Sequence, residues 1–161
     1  MLSIKGKIKS FLKTKSSCSL LWVRLYNHIP FNNKIQHLKG NKVHCKGILK
    51  KCKIIFQGKG NSVIIEEGTV LKNCTITISG NNNKVILKEN IYGKYADFCL
   101  QDNENCIEVG SRSCFAGKVH LACIEGTKII IGEDCLFSSD IVFRTGDSHV
   151  VTDLEGNRIN W

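Results

Sequence analysis

Arg144, Asp147, Ser148 and His149 fall close together in the stretch Arg144-Thr145-Gly146-Asp147-Ser148-His149. Histidine is the side chain whose ordinary pKa lets it take up and release a proton near neutral pH, so His149 is the candidate general base. Asp147 is a candidate to orient its imidazole or to bind a hydroxyl, and Arg144 the candidate contact for an anion. A plainer reading stands beside each of these. Gly-Asp-Ser is a good loop former in its own right, and His149 also reads as a solvated surface histidine.

The elements that must carry this loop are short strands. Upstream of it the chain repeats every 22 residues: Ile65, Leu87, Val109 and Ile131; Val63, Val85, Ile107 and Ile129; Asn61, Asn83 and Asn105, followed by Thr127. A fixed repeat of this length signals a stacked, solenoid architecture. Within it runs a period of six, seen in Val109, Phe115 and Leu121 and in Ile131, Phe137 and Phe143. Gly110 and Gly132 follow the lead residue, and Ser113 and Cys135 take the small position, giving aliphatic-Gly-x-x-small-x. Six residues make one short strand and one turn; three such faces make a triangular coil, and coils stack like residue upon like. The asparagines are then expected to form an amide ladder at one corner. Ile76 and Ile78 match Phe98 and Leu100 at the same spacing, whereas the next pair, read as Val119 and Leu121, comes one residue early. Alternation across that slip turns His120 outward, as a surface residue.

Composition narrows the class. The chain has 161 residues, 42% of them apolar, and 23 Lys and Arg against 14 Asp and Glu, a formal charge of +9. That is enough for one domain with a core. A basic surface attracts anionic sugars, phosphate-bearing cofactors or an acidic membrane face. Only Arg24, Arg112, Arg144 and Arg158 are arginine, and no dedicated reading element is evident, which argues against nucleic acid. The nine cysteines include no C-x-x-C pair, so a zinc site has little support. The longest apolar run near the N-terminus, Leu20 to Val23, is too short for a signal-peptide core or a membrane span. The cysteines therefore read as reduced thiols in a cytoplasmic protein, with Cys52, Cys74, Cys114 and Cys135 mostly buried.

Residues 1–38 differ from the repeat domain, residues 39–161. Ile4, Ile8, Phe11 and Leu12 share one helical face, with Lys5, Lys7, Lys9, Lys13 and Lys15 around it, and Leu21, Trp22 and Leu25 form a second short stripe. Such a segment contacts an acidic membrane surface through residues 1–15, or packs against the main domain or a neighbouring subunit. The shortness of the stripe favours packing.

The hexads "VGSRSC", "IGEDCL" and "FSSDIV", followed by "FRTGDSHVVTDLEGNRIN", resemble the hexapeptide-repeat acyltransferases, among them bacterial sugar and polysaccharide O-acetyltransferases. The resemblance runs from about Gly40 to Trp161. It implies an all-β fold, a left-handed parallel β-helix of about five coils preceded by a short basic α-helical segment, an exception to the right-handed crossover rule. It implies a homotrimer in which His149 is catalytic and Asp147, Arg144 and Ser148 bind substrate, with no metal. The reaction implied is transfer of an acetyl group from acetyl-CoA to a sugar hydroxyl in surface polysaccharide biosynthesis, in the cytoplasm or at the inner membrane. Relatives of this kind continue past the "R-I-N" segment with coils that carry much of the acyl-CoA groove. The 161-residue chain is accordingly expected to transfer weakly alone. The alternatives are a truncated, inactive remnant and a non-catalytic β-helical scaffold that binds glycan.

Overall fold

A computed structural model of the chain describes residues 16–27, 32–36, 38–146 and 149–159. One helix, α1 (Ser16–Asn27), is followed by short strands that wind in sets of three. The first coil comprises β1 (Lys34–Ile35), β2 (Lys42–Cys45) and β3 (Ile48–Lys50), and the second β4 (Lys53–Gln57), β5 (Ser62–Ile65) and β6 (Val70–Lys72). The third comprises β7 (Thr75–Ser79), β8 (Lys84–Leu87) and β9 (Tyr92–Lys94), and the fourth β10 (Ala96–Gln101), β11 (Cys106–Val109) and β12 (Cys114–Phe115). The fifth is β13 (Val119–Cys123), β14 (Lys128–Ile131) and β15 (Leu136–Phe137), after which β16 (Ile141–Arg144) opens a sixth. Every strand pairs in parallel with the strand three further on. Three sheets result: a first of six strands, β1-β4-β7-β10-β13-β16, and a second and third of five each. The chain is a parallel β-helix of five full coils, as the 22-residue period requires.

Alternation along each strand fills the interior. Ile65, Leu87, Val109 and Ile131 pair in succession and form one inward column, and Val63, Val85, Ile107 and Ile129 form the next. All eight are buried, at about 1.5–3 kcal/mol of stabilisation per side chain. The corners obey a second rule. Gly60, Asn82, Glu104 and Gly126 have positive φ where the first sheet hands over to the second. Gly68, Asn90, Arg112 and Asp134 do so between second and third, and Lys51, Asn73, Tyr95 and Asp140 between third and first. Left-handed residues at most corners turn the chain, and the first-to-second corners hold two each, with Gly58, Gly80, Asp102 and Glu125 beside those named; this explains why Gly, Asn and Asp recur there.

The asparagine ladder exists, and it starts a coil earlier than expected. Asn61 N–H donates to Asn41 Oδ1 at 3.0 Å, Asn83 N–H to Asn61 Oδ1 at 2.9 Å, Asn105 N–H to Asn83 Oδ1 at 2.9 Å, and Thr127 N–H to Asn105 Oδ1 at 3.0 Å. A second ladder of small hydroxyls runs along the next corner: Ile91 N–H donates to Thr69 Oγ1 at 3.1 Å and Cys135 N–H to Ser113 Oγ at 3.1 Å. Among the described residues no buried side-chain nitrogen or oxygen lacks a partner.

The register slip is real but runs the other way. Phe98 pairs with Leu121 and Leu100 with Cys123, one residue late rather than early. The corner between β12 and β13 gains one residue and the corner between β13 and β14 gives it back, so the third and second sheets keep their spacing of 22 while β13 is offset by one against β10. An offset late by one preserves parity as an offset early by one would, so His120 faces outward either way. It lies beside Asp97, with Nδ1 2.8 Å from Oδ2.

The helix presents a different face from the one its apolar stripe suggests. Val23 and Asn27 are buried, whereas Leu21, Trp22, Leu25 and Tyr26 are exposed. The edge of β3 has backbone groups that no preceding coil pairs, and buried backbone polar groups need partners. Asn27 supplies them: its Oδ1 accepts from Leu49 N–H at 2.9 Å, and its Nδ2 donates to Gly47 O at 2.9 Å. Asn33 does the same one strand end later, accepting from Cys52 N–H at 2.9 Å and donating to Leu49 O at 3.0 Å. The helix therefore caps the first coil with an amide. The face with Ile4, Ile8, Phe11 and Leu12 lies outside the described residues. Of the cysteines, Cys52, Cys74 and Cys123 are buried, whereas Cys135 is half-buried and Cys114 sits on the outer face of the third sheet between Tyr92 and Leu136. Alternation from the inward Phe115 dictates that outward position for Cys114.

Candidate functional site

The site loop leaves the end of β16. That strand is held on its inward side by an aromatic chain: Phe98 meets Phe115 edge-on at 5.9 Å, Phe115 stacks on Phe137 at 5.1 Å, and Phe137 meets Phe143 edge-on at 5.9 Å. Each such pair contributes about 0.5–1.5 kcal/mol beyond burial. Arg144, the last residue of β16, is exposed on the outer face in line with Ala122. Its charge opposes the upward push that burial and Asp97 give the Cys99 thiol.

Beyond Arg144 the loop is clamped twice. Thr145 N–H donates to Ala122 O at 3.1 Å, and the Thr145 hydroxyl is hydrogen-bonded to the Thr127 hydroxyl. Thr127 ends the asparagine ladder, so the ladder hands over from amide to hydroxyl at the point where the loop must be held. Gly146 follows, and a Cβ there would lie 2.1 Å from Ile124 Cγ1. Only glycine lets the backbone pass so close. The far end is a hairpin with an antiparallel bridge between Thr152 and Arg158. Asp153 organises its turn: Oδ1 accepts from Glu155 N–H at 2.9 Å and Asn157 N–H at 2.8 Å, and Oδ2 from Asn157 Nδ2 at 3.0 Å. These bonds, from Asn157 first, hold the Asp153 carboxyl below its ordinary range. Arg158 then forms an ion pair with Glu125, on the corner after β13.

His149 is exposed in the span between the two clamps. Asp147 and Ser148 lie outside the described residues. Arg144 and His149 thus belong to one loop and its supporting strand at one end of the first sheet, while His120 lies on that sheet's outer face in the fifth coil, opposite Val142 of β16. The residues that sequence reasoning missed are the anchors, Thr127, Thr145, Gly146, Asp153 and Arg158. The Thr that breaks the asparagine column and the Asp-Leu-Glu-Gly-Asn turn signal were the cues for them. Among the described residues no cluster of His, Cys, Asp and Glu would hold a metal ion, and no helix is long and apolar enough to cross a membrane.

Stacked hexapeptide coils in three parallel sheets, turned at most corners by left-handed residues, define the hexapeptide-repeat β-helix as the fold. Among solved structures the chain is similar to the crystal structure of the polySia specific acetyltransferase NeuO, at 24% sequence identity and a TM-score of 0.69. The likeness covers 83% of this chain and 57% of that chain, so this chain spans less than two thirds of its length. No protein-family model and no curated protein matches the sequence.

Proposed function

We propose that the chain belongs to an O-acetyltransferase that moves an acetyl group from acetyl-CoA to a sugar hydroxyl in surface polysaccharide biosynthesis. The observation that carries the reading is a loop bearing His149, clamped at both ends to a β-helix whose fold is shared with an acetyltransferase. In the step envisaged, the neutral imidazole of His149 takes the proton of the attacking hydroxyl, the oxygen adds to the thioester carbonyl, and the thiolate of CoA leaves. Asp147 orients the imidazole, and Arg144 and Ser148 hold the acceptor or the donor's phosphates. The assembly is a homotrimer in the cytoplasm or at the inner membrane, with residues 1–15 packing against the domain or a neighbouring subunit or meeting anionic lipid through their lysines.

The test is acetyl-CoA-dependent labelling of glycan hydroxyls with and without His149→Ala. Loss of turnover by a factor on the order of 10² to 10⁴ is expected for removal of a general base, and full activity of the variant would exclude His149 from that role. Glycan retention without any acetyl-CoA-dependent labelling would favour the non-catalytic scaffold.

A further inference from the structure

The outer face of the third sheet carries cations in register. Lys50 pairs with Lys72 and Lys72 with Lys94, so three lysines stand one above another on successive strands. Lys51, Lys53 and Lys118 flank them where the third sheet turns into the first. All but Lys72 are exposed, and Lys72 is half-exposed. Among the described residues none of the six has a carboxylate partner. The opposite edge of the same sheet is balanced instead. There Lys46 pairs with Glu66, Lys88 with Glu108, and Arg112 with both Glu133 and Asp134. Of the acids near this edge, Asp97 is paired with His120, and Asp140 lies at its far end, in the corner after β15, beyond the Lys50-Lys72-Lys94 stack.

Strands in a sheet lie about 4.8 Å apart. The Debye length at physiological ionic strength is about 8 Å. The fields of the stacked lysines therefore add instead of being screened from one another. The second sheet shows what a different spacing does. Its lysine row reads Lys42, Ser62, Lys84, Cys106, Lys128, a cation on every other strand. Those charges are about 9.6 Å apart, two strand spacings, and are mutually screened.

We infer that the Lys50-Lys72-Lys94 edge is a track for a linear polyanionic glycan lying along the axis of the β-helix, its acid groups meeting successive coils. As the track of an acceptor chain this rests on the transferase reading; as a binding surface it does not. The chemistry favours a glycan over a nucleic acid. The edge carries lysine point charges on a flat sheet, with no arginine fork. Its two tyrosines offer no free platform for a base, since the Lys72 ammonium sits over Tyr92 at 5.0 Å from the ring centre and the Lys94 ammonium over Tyr95 at 5.2 Å. Lys72 Nζ also reaches Tyr92 Oη at 3.3 Å, which holds that ammonium against the sheet.

The experiment measures binding of polygalacturonate, a linear glycan with one carboxylate per sugar, to the full chain across a salt series with no acyl donor present. Dextran serves as the neutral glycan. The triple variant Lys50→Gln, Lys72→Gln, Lys94→Gln is expected to bind at least about 10-fold more weakly at low salt and with a shallower salt dependence, because binding released as counterions scales with contacts made. The triple Lys50→Arg, Lys72→Arg, Lys94→Arg keeps the affinity. The control Lys42→Gln, Lys84→Gln, Lys128→Gln removes the same charge and is expected to lose no more than about 3-fold. Equal losses in the two glutamine triples would show that net charge alone attracts the glycan and would overturn the track. So would wild-type indifference to polygalacturonate at low salt, or its easy displacement by an oligonucleotide of equal charge. Absence of acetyl transfer leaves this result untouched, so the two readings fail separately.

Discussion

Replacing Asn83 by alanine tests whether the amide ladder holds the coils together. Asn83 is 1% exposed. Its Oδ1 accepts from Asn105 N–H at 2.9 Å and Asn105 Nδ2 at 3.0 Å, and its Nδ2 donates to Asp102 O at 2.7 Å. Alanine strands the buried Asn105 N–H and takes the donor from the partly buried Asp102 carbonyl. A buried group left unsatisfied costs about 1–3 kcal/mol and a partly buried one about 1 kcal/mol, so the pair should cost about 2–4 kcal/mol. That is a large share of a typical domain stability of about 5–15 kcal/mol. Two residues earlier the same coil contains the control. Asn81 belongs to a parallel ladder, accepting from Lys59 N–H at 2.9 Å and donating to Asn103 Oδ1 at 3.1 Å, but it is exposed. Water replaces its bonds, so Asn81→Ala should cost no more than about 1 kcal/mol. Urea unfolding with m held constant reads the difference, and hydrogen exchange at Asn105 locates it. If the two variants lie within 1 kcal/mol of each other, burial is not what makes the inner ladder matter, and the reasoning fails.

Other outcomes follow from the loop. Gly146→Ala should displace the His149 loop or cost about 1–3 kcal/mol through overpacking against Ile124; Ile124→Ala in the same chain should relieve it, and loop hydrogen exchange in the single and double variants checks this. Asp153 has a depressed pKa, so its contribution to the hairpin is full above the unfolded value of about 3.9 and is lost as pH falls through the lower folded value. Protection of the Asn157 amide should therefore be flat from neutral pH down to about 5 and decline only in stronger acid; a decline near neutrality would contradict the assignment. Burial pushes the Cys45 thiol up to about 11, and the hydrogen bond between Cys74 and Cys52, together with burial, pushes the Cys74 thiol up as well. Both should resist alkylation in the native protein at neutral pH, whereas denaturation without reductant should release all nine cysteines of the sequence as free thiols.

What could be read from the sequence was whatever repeats. Ile65, Leu87, Val109 and Ile131 share a column because like must stack on like in a coil, and Asn61, Asn83 and Asn105 because one corner demands an acceptor at the same height each turn. What escaped was whatever happens once. The capping role of Asn27 answers a need at the edge of β3 that local periodicity does not encode, and it overrode the apolar stripe of Leu21, Trp22 and Leu25. The direction of the slip at Val119 depended on which corner absorbed the extra residue, and spacing alone does not say. The Arg158–Glu125 pair joins residues far apart in sequence, and only the coil geometry brings them together. At the site, His149 stood out by residue type, while the parts that hold its loop are ordinary Thr, Gly and Asp.

The corners that absorbed the slip make the molecule a ruler with movable graduations. The third and second sheets keep their register while the β12–β13 corner gains one residue and the β13–β14 corner gives it back. Each coil is therefore an interchangeable washer on a shaft. Duplicating one 22-residue coil, such as 75–96, should carry the His149 loop along the axis by about one strand spacing, 4.8 Å, without rotating it. The distance between the lysine track and the histidine would then be set by counting coils, so that the position of a modification along a bound polymer becomes an integer property of the sequence.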